Sequence, residues 1–585
     1  MKTKMSCLIL SLLLAGIQGV FAQDHQSNLL RLKNDKLALS QTVILNPGKN
    51  SIPISSLENL NAASVNLGSP YGRTFSALVN RYAKVDTVQT YTVAGSTDYN
   101  RLNDDLSLYH TVIFQLVEKT VFDTSLLNFL QELEKSKTVI IVVSGPADRS
   151  SFFKTLQSEV LWSKQQTPES ASVLAQLIFG GTGLNKTALR IGYSVPEAVG
   201  VNQQDLDSID LVMKQGIAAK AFPGGVVMVV KNGQVIFEKA YGKQTYTGNR
   251  QMKTSDIFDM ASLTKTSATT LAVMKLVEQG RLGLDSPIRN YLAQTRTMSE
   301  KRDITIKEIM LHQAGFFPFI PFYEKLKPTD MSTVQSAAFP TAVADGYFLR
   351  ANYFKEVMWP EMLNDKILTR GKYVYSDLSM YYMREIVEKV SGQKMNEYLD
   401  QQFYFPLGMQ TGGFLPRNRF PKDQIVPTTE NDGWFRNMLV QGFVNDPGAA
   451  MAAGVSGHAG FFASANDAAI LYQMLLNKGS YGGQQYYQPA TVDLFTSSQS
   501  AVSRRGLGFD RKDPDPVKAY PSALASSSSF GHTGYTGTLV WVDPADQLVY
   551  ILLTNRVYPD DKSKLLGQMN IRGKIQDIIY RAIRK

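Results

Sequence analysis

The chain has 585 residues, room for two to four domains of roughly 100–200 residues each, and its 44% hydrophobic and 19% charged content excludes a disordered or fibrous chain. One cysteine, Cys7, excludes a disulfide scaffold and a cysteine-rich metal site, and the five histidines form no His-Glu-x-x-His pair of a zinc protease. The net charge of +10 includes no run of five like charges, so a diffuse positive surface, suited to solubility or to an anionic substrate, is expected rather than a grip on nucleic acid.

In chain order, Lys2 and Lys4 precede the apolar run CLILSLLLAGIQGVFA, which is too short to span a membrane and ends in Val20-Phe21-Ala22. This pattern predicts a secretory signal peptide over 1–22, cleaved after Ala22, with no lipid or transmembrane anchor left behind. The expected location is the periplasm, and loss of the two lysines takes the charge from +10 to +8. From 23 to 200, strands are expected at 62–68, 85–93, 110–118 and 137–145, with helices at 124–137 and 148–159. Val/Ile-rich strands alternating with helices predict an α/β domain, a parallel sheet with helices on both faces. No Gly-x-Gly-x-x-Gly turn follows these strands, which argues against a dinucleotide site.

A linker at 187–202 precedes a different layout. Residues 203–219 read as a helix, and 224–242 as a hairpin turning on Asn232-Gly233, a pair suited to positive φ. From 262 to about 478 the chain reads as largely helical with long loops, including an aromatic run at 316–323 that serves either packing or a substrate-entry rim. A second hairpin is expected from 538–543 and 548–555. The last helix carries Ile571, Ile575, Ile578, Ile579, Ala582 and Ile583 on one face. Strand-forming pieces flank the helical middle, so one sheet is expected to draw on both ends of 201–585.

The chemistry concentrates in three short motifs. Ser262-Leu263-Thr264-Lys265 opens a helix over 264–279, and residues three apart share a helix face, so the Lys265 amine can reach the Ser262 hydroxyl. A serine nucleophile needs a base or a neighbouring cation, and lysine serves as base when burial and the helix N-terminus lower its pKa. Tyr375-Ser376-Asp377 opens the next helix, and a phenol beside a lysine can shuttle a proton. His532-Thr533-Gly534 begins the last hairpin, where the Tyr535 amide can pair with that of Ser262 as an oxyanion hole. His458 and His312 read as satisfied loop histidines.

Together these motifs match the Ser-x-x-Lys, Tyr-x-Asn and Lys-Thr-Gly set of penicillin-recognising serine hydrolases. From 201 to 585 the chain resembles the class C β-lactamase superfamily, with LGLDSPIRNYL, EIMLHQAGF, GVSGHAGFF and GHTGYTGTLVWVDP as further family-like phrases. The resemblance implies an α+β β-lactamase/transpeptidase-like fold, an antiparallel sheet plus a helical subdomain. It also implies Ser262 as acylated nucleophile, Lys265 and Tyr375 as acid and base, and Asp377, His532, Thr533, Gly534 and Tyr535 at the substrate. No metal or cofactor is implied. Two departures stand out: histidine replaces lysine at 532, and aspartate replaces asparagine at 377. Histidine is largely neutral at pH 7, and an ionised Asp377 cannot donate to a substrate amide oxygen. Both point away from efficient β-lactam turnover and toward peptidases and esterases.

The segment 23–200, with LLRLKNDKLAL and ASVLAQLIFGG, resembles the C-terminal α/β domain of family 3 glycoside hydrolases. It lacks that family's barrel, which holds the nucleophile, so no glycosidase activity is expected, and a scaffold or sugar-docking role stays open. The expected function is an exported D-amino-acid peptidase or carboxypeptidase acting on cell-wall peptides, or fragments of peptidoglycan, through an acyl-enzyme on Ser262. The rivals are a carboxylesterase or β-lactamase of the same fold, and a catalytically silent wall-binding protein.

Overall fold

The computed structural model describes residues 25–48, 51–93, 96–184 and 188–585. The expected signal peptide, with Cys7, lies outside the described residues. Among the described residues no helix is long and apolar enough to cross a membrane. The chain divides into two compact units. One holds the chain up to Asp205 with Gly233–Ile236 and Phe405–Gln410; the other holds Leu206–Asn232, Phe237–Tyr404 and Thr411–Lys585.

The first unit is built on strands β1 (Thr42–Leu45), β2 (Ala62–Leu67), β3 (Val85–Val88), β4 (Thr111–Val117), β5 (Thr138–Ser144) and β6 (Glu159–Ser163), in the sheet order β1-β6-β5-β4-β2-β3. Strands β2 to β6 pair in parallel, whereas β1 runs antiparallel to β6 at one edge. Helices α1 (Gly72–Val79), α2 (Tyr99–Asp105), α3 (Thr124–Leu133) and α4 (Pro168–Phe179) cover it. Successive strand residues point to opposite faces. Ile113, Ile140 and Val142 therefore meet Phe75 and Val79 of α1 and Leu174 and Ile178 of α4 in one core. Phe114, Val139 and Ile141 meet Leu102 of α2 and Leu126 and Leu130 of α3 in the other.

Two expectations for this unit need correction. The strand expected at 85–93 stops at Val88, and Thr92–Val93 instead pairs with Ser96–Thr97. The helix expected at 148–159 is only Ser150–Phe153, and Glu159 begins the fully buried strand β6. Its carboxylate is what makes that burial tolerable: it accepts from Ser51 N at 2.8 Å, Ser51 Oγ at 2.6 Å and Ile52 N at 2.9 Å.

The second unit holds α5 (Ser208–Ala218), β7 (Gly224–Lys231) and, from Phe237 on, β8 (Gln234–Gly242), then α6 (Thr270–Glu278), α7 (Leu378–Ser391) and α8 (Ala465–Leu476). After these come β9 (Asp510–Arg511), β10 (Phe530–Thr533), β11 (Leu539–Asp543), β12 (Leu548–Thr554) and α9 (Ile571–Ile583). Six of the seven strands of its sheet run β9-β10-β11-β12-β7-β8, and the seventh, Gly192–Tyr193, pairs in parallel with Gln234–Val235 of β8. Both ends of the segment thus supply one antiparallel sheet, with β7 registered on β12 from Gly225–Thr554 to Lys231–Leu548. The β7–β8 turn has Asn232 at φ 52° and Gly233 at φ 73°, the positive pair that this two-residue loop needs. Helix α8 is buried along its whole length and packs on β7, β11 and β12. Helix α9 packs on α5, and its Tyr580 hydroxyl donates to Asp543 Oδ2 at 2.6 Å. The middle is less helical than expected, with a small sheet from Met331–Ser332, Thr341–Ala344 and Tyr347–Leu349.

Candidate active site

Ser262 sits in a tight 3₁₀ turn, Ala261–Leu263, entered through Ala261 at φ 46°. Buried Asp259 braces that turn by accepting from Ala261 N at 2.8 Å and Asn445 N at 2.7 Å. Burial nevertheless pushes its carboxyl up to about 6. A π-helical turn, Lys265–Thr269, then leads into α6; such single wider turns are frequent at functional sites.

Lys265 is fully buried, with a hydroxyl, a carboxylate and a backbone carbonyl around its ammonium. Nζ lies 2.9 Å from Ser262 Oγ, 2.7 Å from Asp377 Oδ1 and 3.3 Å from the His458 carbonyl oxygen. It also lies 4.8 Å from the centre of the Tyr375 ring. Burial pulls its pKa down, but Asp377 and Tyr375 outweigh burial and hold it above the ordinary lysine value. A lysine base requires the opposite direction, so Lys265 is an ammonium that donates to the serine.

Behind it lies a second pair that sequence reasoning missed. His458 Nε2 is 2.8 Å from Asp446 Oδ1, and its Nδ1 is 3.0 Å from Ser456 Oγ. Ligand atoms of Asp377, Asp446 and His458 lie within 4.8 Å of one another, and Lys265 supplies the cation among them. Burial raises the Asp446 carboxyl, but His458 and the Ala449 amide bring it below the usual range.

The third motif is bolted to the first. Thr536 Oγ1 donates to Asp259 O at 2.7 Å and Thr538 Oγ1 to Met260 O at 3.2 Å, just ahead of the serine. Gly534 packs so closely there that a Cβ would stand 2.4 Å from Met260 O and 2.0 Å from Thr538 Oγ1. Glycine is therefore required by space, not by φ. Ser262, Tyr375, His532, Thr533, Gly534 and Tyr535 line one pocket of about 420 Å³. Asp377 is not among its lining residues and instead faces Lys265, a different placement from the substrate contact expected of it.

His532 donates from Nδ1 to Thr533 O at 2.7 Å, leaving Nε2 as a buried acceptor with no hydrogen-bond partner among the described residues. Burial, Arg505 and Lys265 lower its pKa to about 3, so it is neutral. His312, at 4.6 Å from the Tyr375 ring, accepts from Ser376 N at 3.2 Å and is likewise held well below the usual histidine value, by burial first.

The pocket's positive charge comes instead from arginines, and Arg504, Arg505, Arg556 and Arg572 all line it. Arg505 is the buried one. Its Nε stands 3.7 Å from Asp510 Oδ1, too far for a hydrogen bond, and neither Nε nor Nη1 has a hydrogen-bond acceptor among the described residues. The Arg504-Arg505 pair was legible as a dipeptide, but nothing in its spacing tied it to Ser262. Among the aromatics, Phe316 is buried on Tyr382 at 4.5 Å, whereas Phe319 is exposed.

The antiparallel sheet, the helical middle and the Ser-Lys-Tyr cluster between them define a serine hydrolase of the β-lactamase and penicillin-binding superfamily. Residues 209–570 match the family Beta-lactamase, and the chain belongs to it. It is 32% identical over 383 residues to "N-acetylmuramyl-L-alanine amidase" of Bacillus subtilis (strain 168), covering 62% of this chain and 83% of that protein. It is 28% identical over 424 residues to "Putative D-alanyl-D-alanine carboxypeptidase" of Escherichia coli (strain K12), covering 67% and 94%. The solved structure "EstCE1, a hydrolase with promiscuous acyltransferase activity" aligns over 64% of this chain and 99% of its own, at 20% identity and a TM-score of 0.49.

Proposed function

We propose that this protein is an exported serine hydrolase that cleaves an amide bond in cell-wall peptides through an acyl-enzyme on Ser262. The observation that carries the proposal is the Lys265 ammonium, 2.9 Å from Ser262 Oγ and anchored at 2.7 Å on Asp377. With Lys265 protonated, the base assigned to the serine proton is the Tyr375 oxygen, acting as phenolate in this step, on the ring 4.8 Å from the ammonium. Ser262 Oγ bonds to the substrate carbonyl carbon, and the oxyanion is held by the amides of Ser262 and Tyr535. The C–N bond then breaks as Tyr375 returns the proton to the leaving amine. In the second half, water gives its proton to Tyr375, attacks the acyl carbon, and the proton returns to Ser262 as the ester breaks.

A D-amino-acid peptidase or carboxypeptidase is the leading reading. Support for it comes from the names of the Escherichia coli relatives and from the neutral His532, which lacks the fixed cation of the lactam-hydrolysing pattern. The 32% identical amidase favours a second reading, cleavage of the bond that joins a sugar lactyl group to L-alanine. For the first unit we propose a docking or scaffold role on the same wall, the role left open by its sequence resemblance to a glycoside hydrolase C-terminal domain. Export to the periplasm rests on the N-terminal signal pattern and agrees with such substrates.

A parallel assay of a D-Ala-D-Ala peptide, a muramyl-L-alanine amide, a short acyl ester and a penicillin tests this. Turnover is expected on one of the two amides, with the penicillin far slower, and Ser262→Ala is expected to abolish all of it. Turnover that survives Ser262→Ala, or binding of wall fragments with no turnover of any substrate, would contradict the proposal.

A further inference from the structure

Beside the serine pocket lies a second cleft, of about 800 Å³, that no step of the proposed reaction uses. The two share Tyr373, Arg504 and Arg505 in their walls, so Arg505 opens toward both. Five cationic side chains, Arg504, Arg505, Arg511, Lys512 and Lys518, line this cleft with one carboxylate, Asp513. Asp510 in the adjoining pocket wall accepts from Arg504 at 2.7 and 3.0 Å and stands 3.7 Å from Arg505, which leaves Arg511 and Lys512 as cations without a carboxylate among the described residues. Asp513 is already taken, by Arg504 at 3.2 Å and Lys518 at 3.5 Å. Arg511 and Lys512 are held by backbone carbonyls instead of carboxylates: Arg511 by those of Thr496 and Ser527, Lys512 by those of Ala523 and Ala525. A carbonyl fixes a cation in place without cancelling its charge, and a cleft with an excess of positive charge focuses its field on an incoming anion. Arg505, buried with Nε and Nη1 lacking a hydrogen-bond acceptor among the described residues and with Asp510 no nearer than 3.7 Å, is a donor pair of the kind that binds a carboxylate. Val502, 58% exposed, adds an apolar patch to the same wall.

We infer that this cleft is a subsite for a carboxylate carried by the substrate peptide several bonds away from the bond being cleaved. The inference rests on the proposed peptide hydrolysis and narrows its substrate class to acidic peptides. Selection is then made at two places, by the reacting carbonyl at Ser262 and by a remote anion along the cleft, and peptides with neutral side chains are the poorer ligands.

The test is calorimetric binding to the Ser262→Ala protein, using short peptides that carry glutamate or glutamine on either side of the scissile bond. The glutamate peptide of one pair is expected to bind about tenfold more tightly at low ionic strength, the scale of one charge-assisted contact. That preference should shrink as salt screens it. Lys512→Gln with Lys518→Gln is expected to bring the ratio near one. Because Lys512 also ties the loop at Ala523 and Ala525, Lys518→Glu on an exposed side chain is the second variant, expected to invert the preference while the melting temperature holds. Equal affinity for glutamate and glutamine in both pairs, or a preference unchanged by Lys518→Glu, would overturn the subsite. Acylation of wild-type Ser262 by a fluorophosphonate is scored separately, and its absence would overturn the hydrolase reading itself.

Discussion

Replacing Lys265 by methionine is expected to lower kcat on any turned-over substrate by about 10³-fold or more, the scale of losing an activated nucleophile and its proton-transfer partner. The expectation follows from how completely the ammonium is committed. It donates to Ser262 Oγ, pairs with Asp377 and reaches the His458 carbonyl, so its loss releases the serine and leaves Tyr375 without the neighbouring charge. The same change leaves the Asp377 carboxylate without its cation, and breaking such a buried pair costs about 3 kcal/mol or more. A second substitution separates the two effects. Lys265→Met with Asp377→Asn is expected to recover most of the lost melting temperature and none of the lost activity. If the single variant kept more than about a tenth of wild-type kcat, far above the general acid–base scale, Lys265 would be structural only.

The second large effect is on acid stability. His532 titrates at about 3 in the folded protein, against about 6.5 when unfolded. Between those values the unfolded chain binds the proton and the folded chain does not, so stability rises with pH across the window and is flat above it. The full difference is roughly 4–5 kcal/mol, all of it lost below pH 3. His312, lowered in the same direction by burial and Arg505, adds to it. Carboxyls raised by burial, such as Asp259 at about 6, act oppositely, so the contribution is read as a difference. Relative to His532→Asn, wild type is expected to lose melting temperature steadily as pH falls below 6.5. A difference that stays constant between pH 7 and pH 4 would mean that His532 titrates normally.

Much of this site could be read from the sequence, for a physical reason. Ser262 and Lys265 are one helical turn apart, and Tyr375 and His532 each stand in a tripeptide whose meaning depends on the other two. The Asn232-Gly233 turn was legible because positive φ has few residue solutions. What escaped was set by packing across the chain. The direction of the Lys265 pKa depends on Asp377, 112 residues away in sequence, and burial alone suggested the reverse. The Asp446–His458 pair lies in loops, where no periodicity marks a partner. Arg505 stands out only after folding, which leaves its Nε and Nη1 without an acceptor among the described residues. The helix expected at 148–159 overruns into the first residue of β6 because Glu159 looks like a surface residue until Ser51 and Ile52 are brought against it.

The central claim is that Ser262 carries the acyl group. Its most direct measurement is peptide mass spectrometry of the protein quenched after reaction with a fluorophosphonate and, separately, with a penicillin. The account predicts one adduct with each reagent, on the peptide containing Ser262, and none in Ser262→Ala. An adduct on another residue, or labelling undiminished in Ser262→Ala, would contradict it.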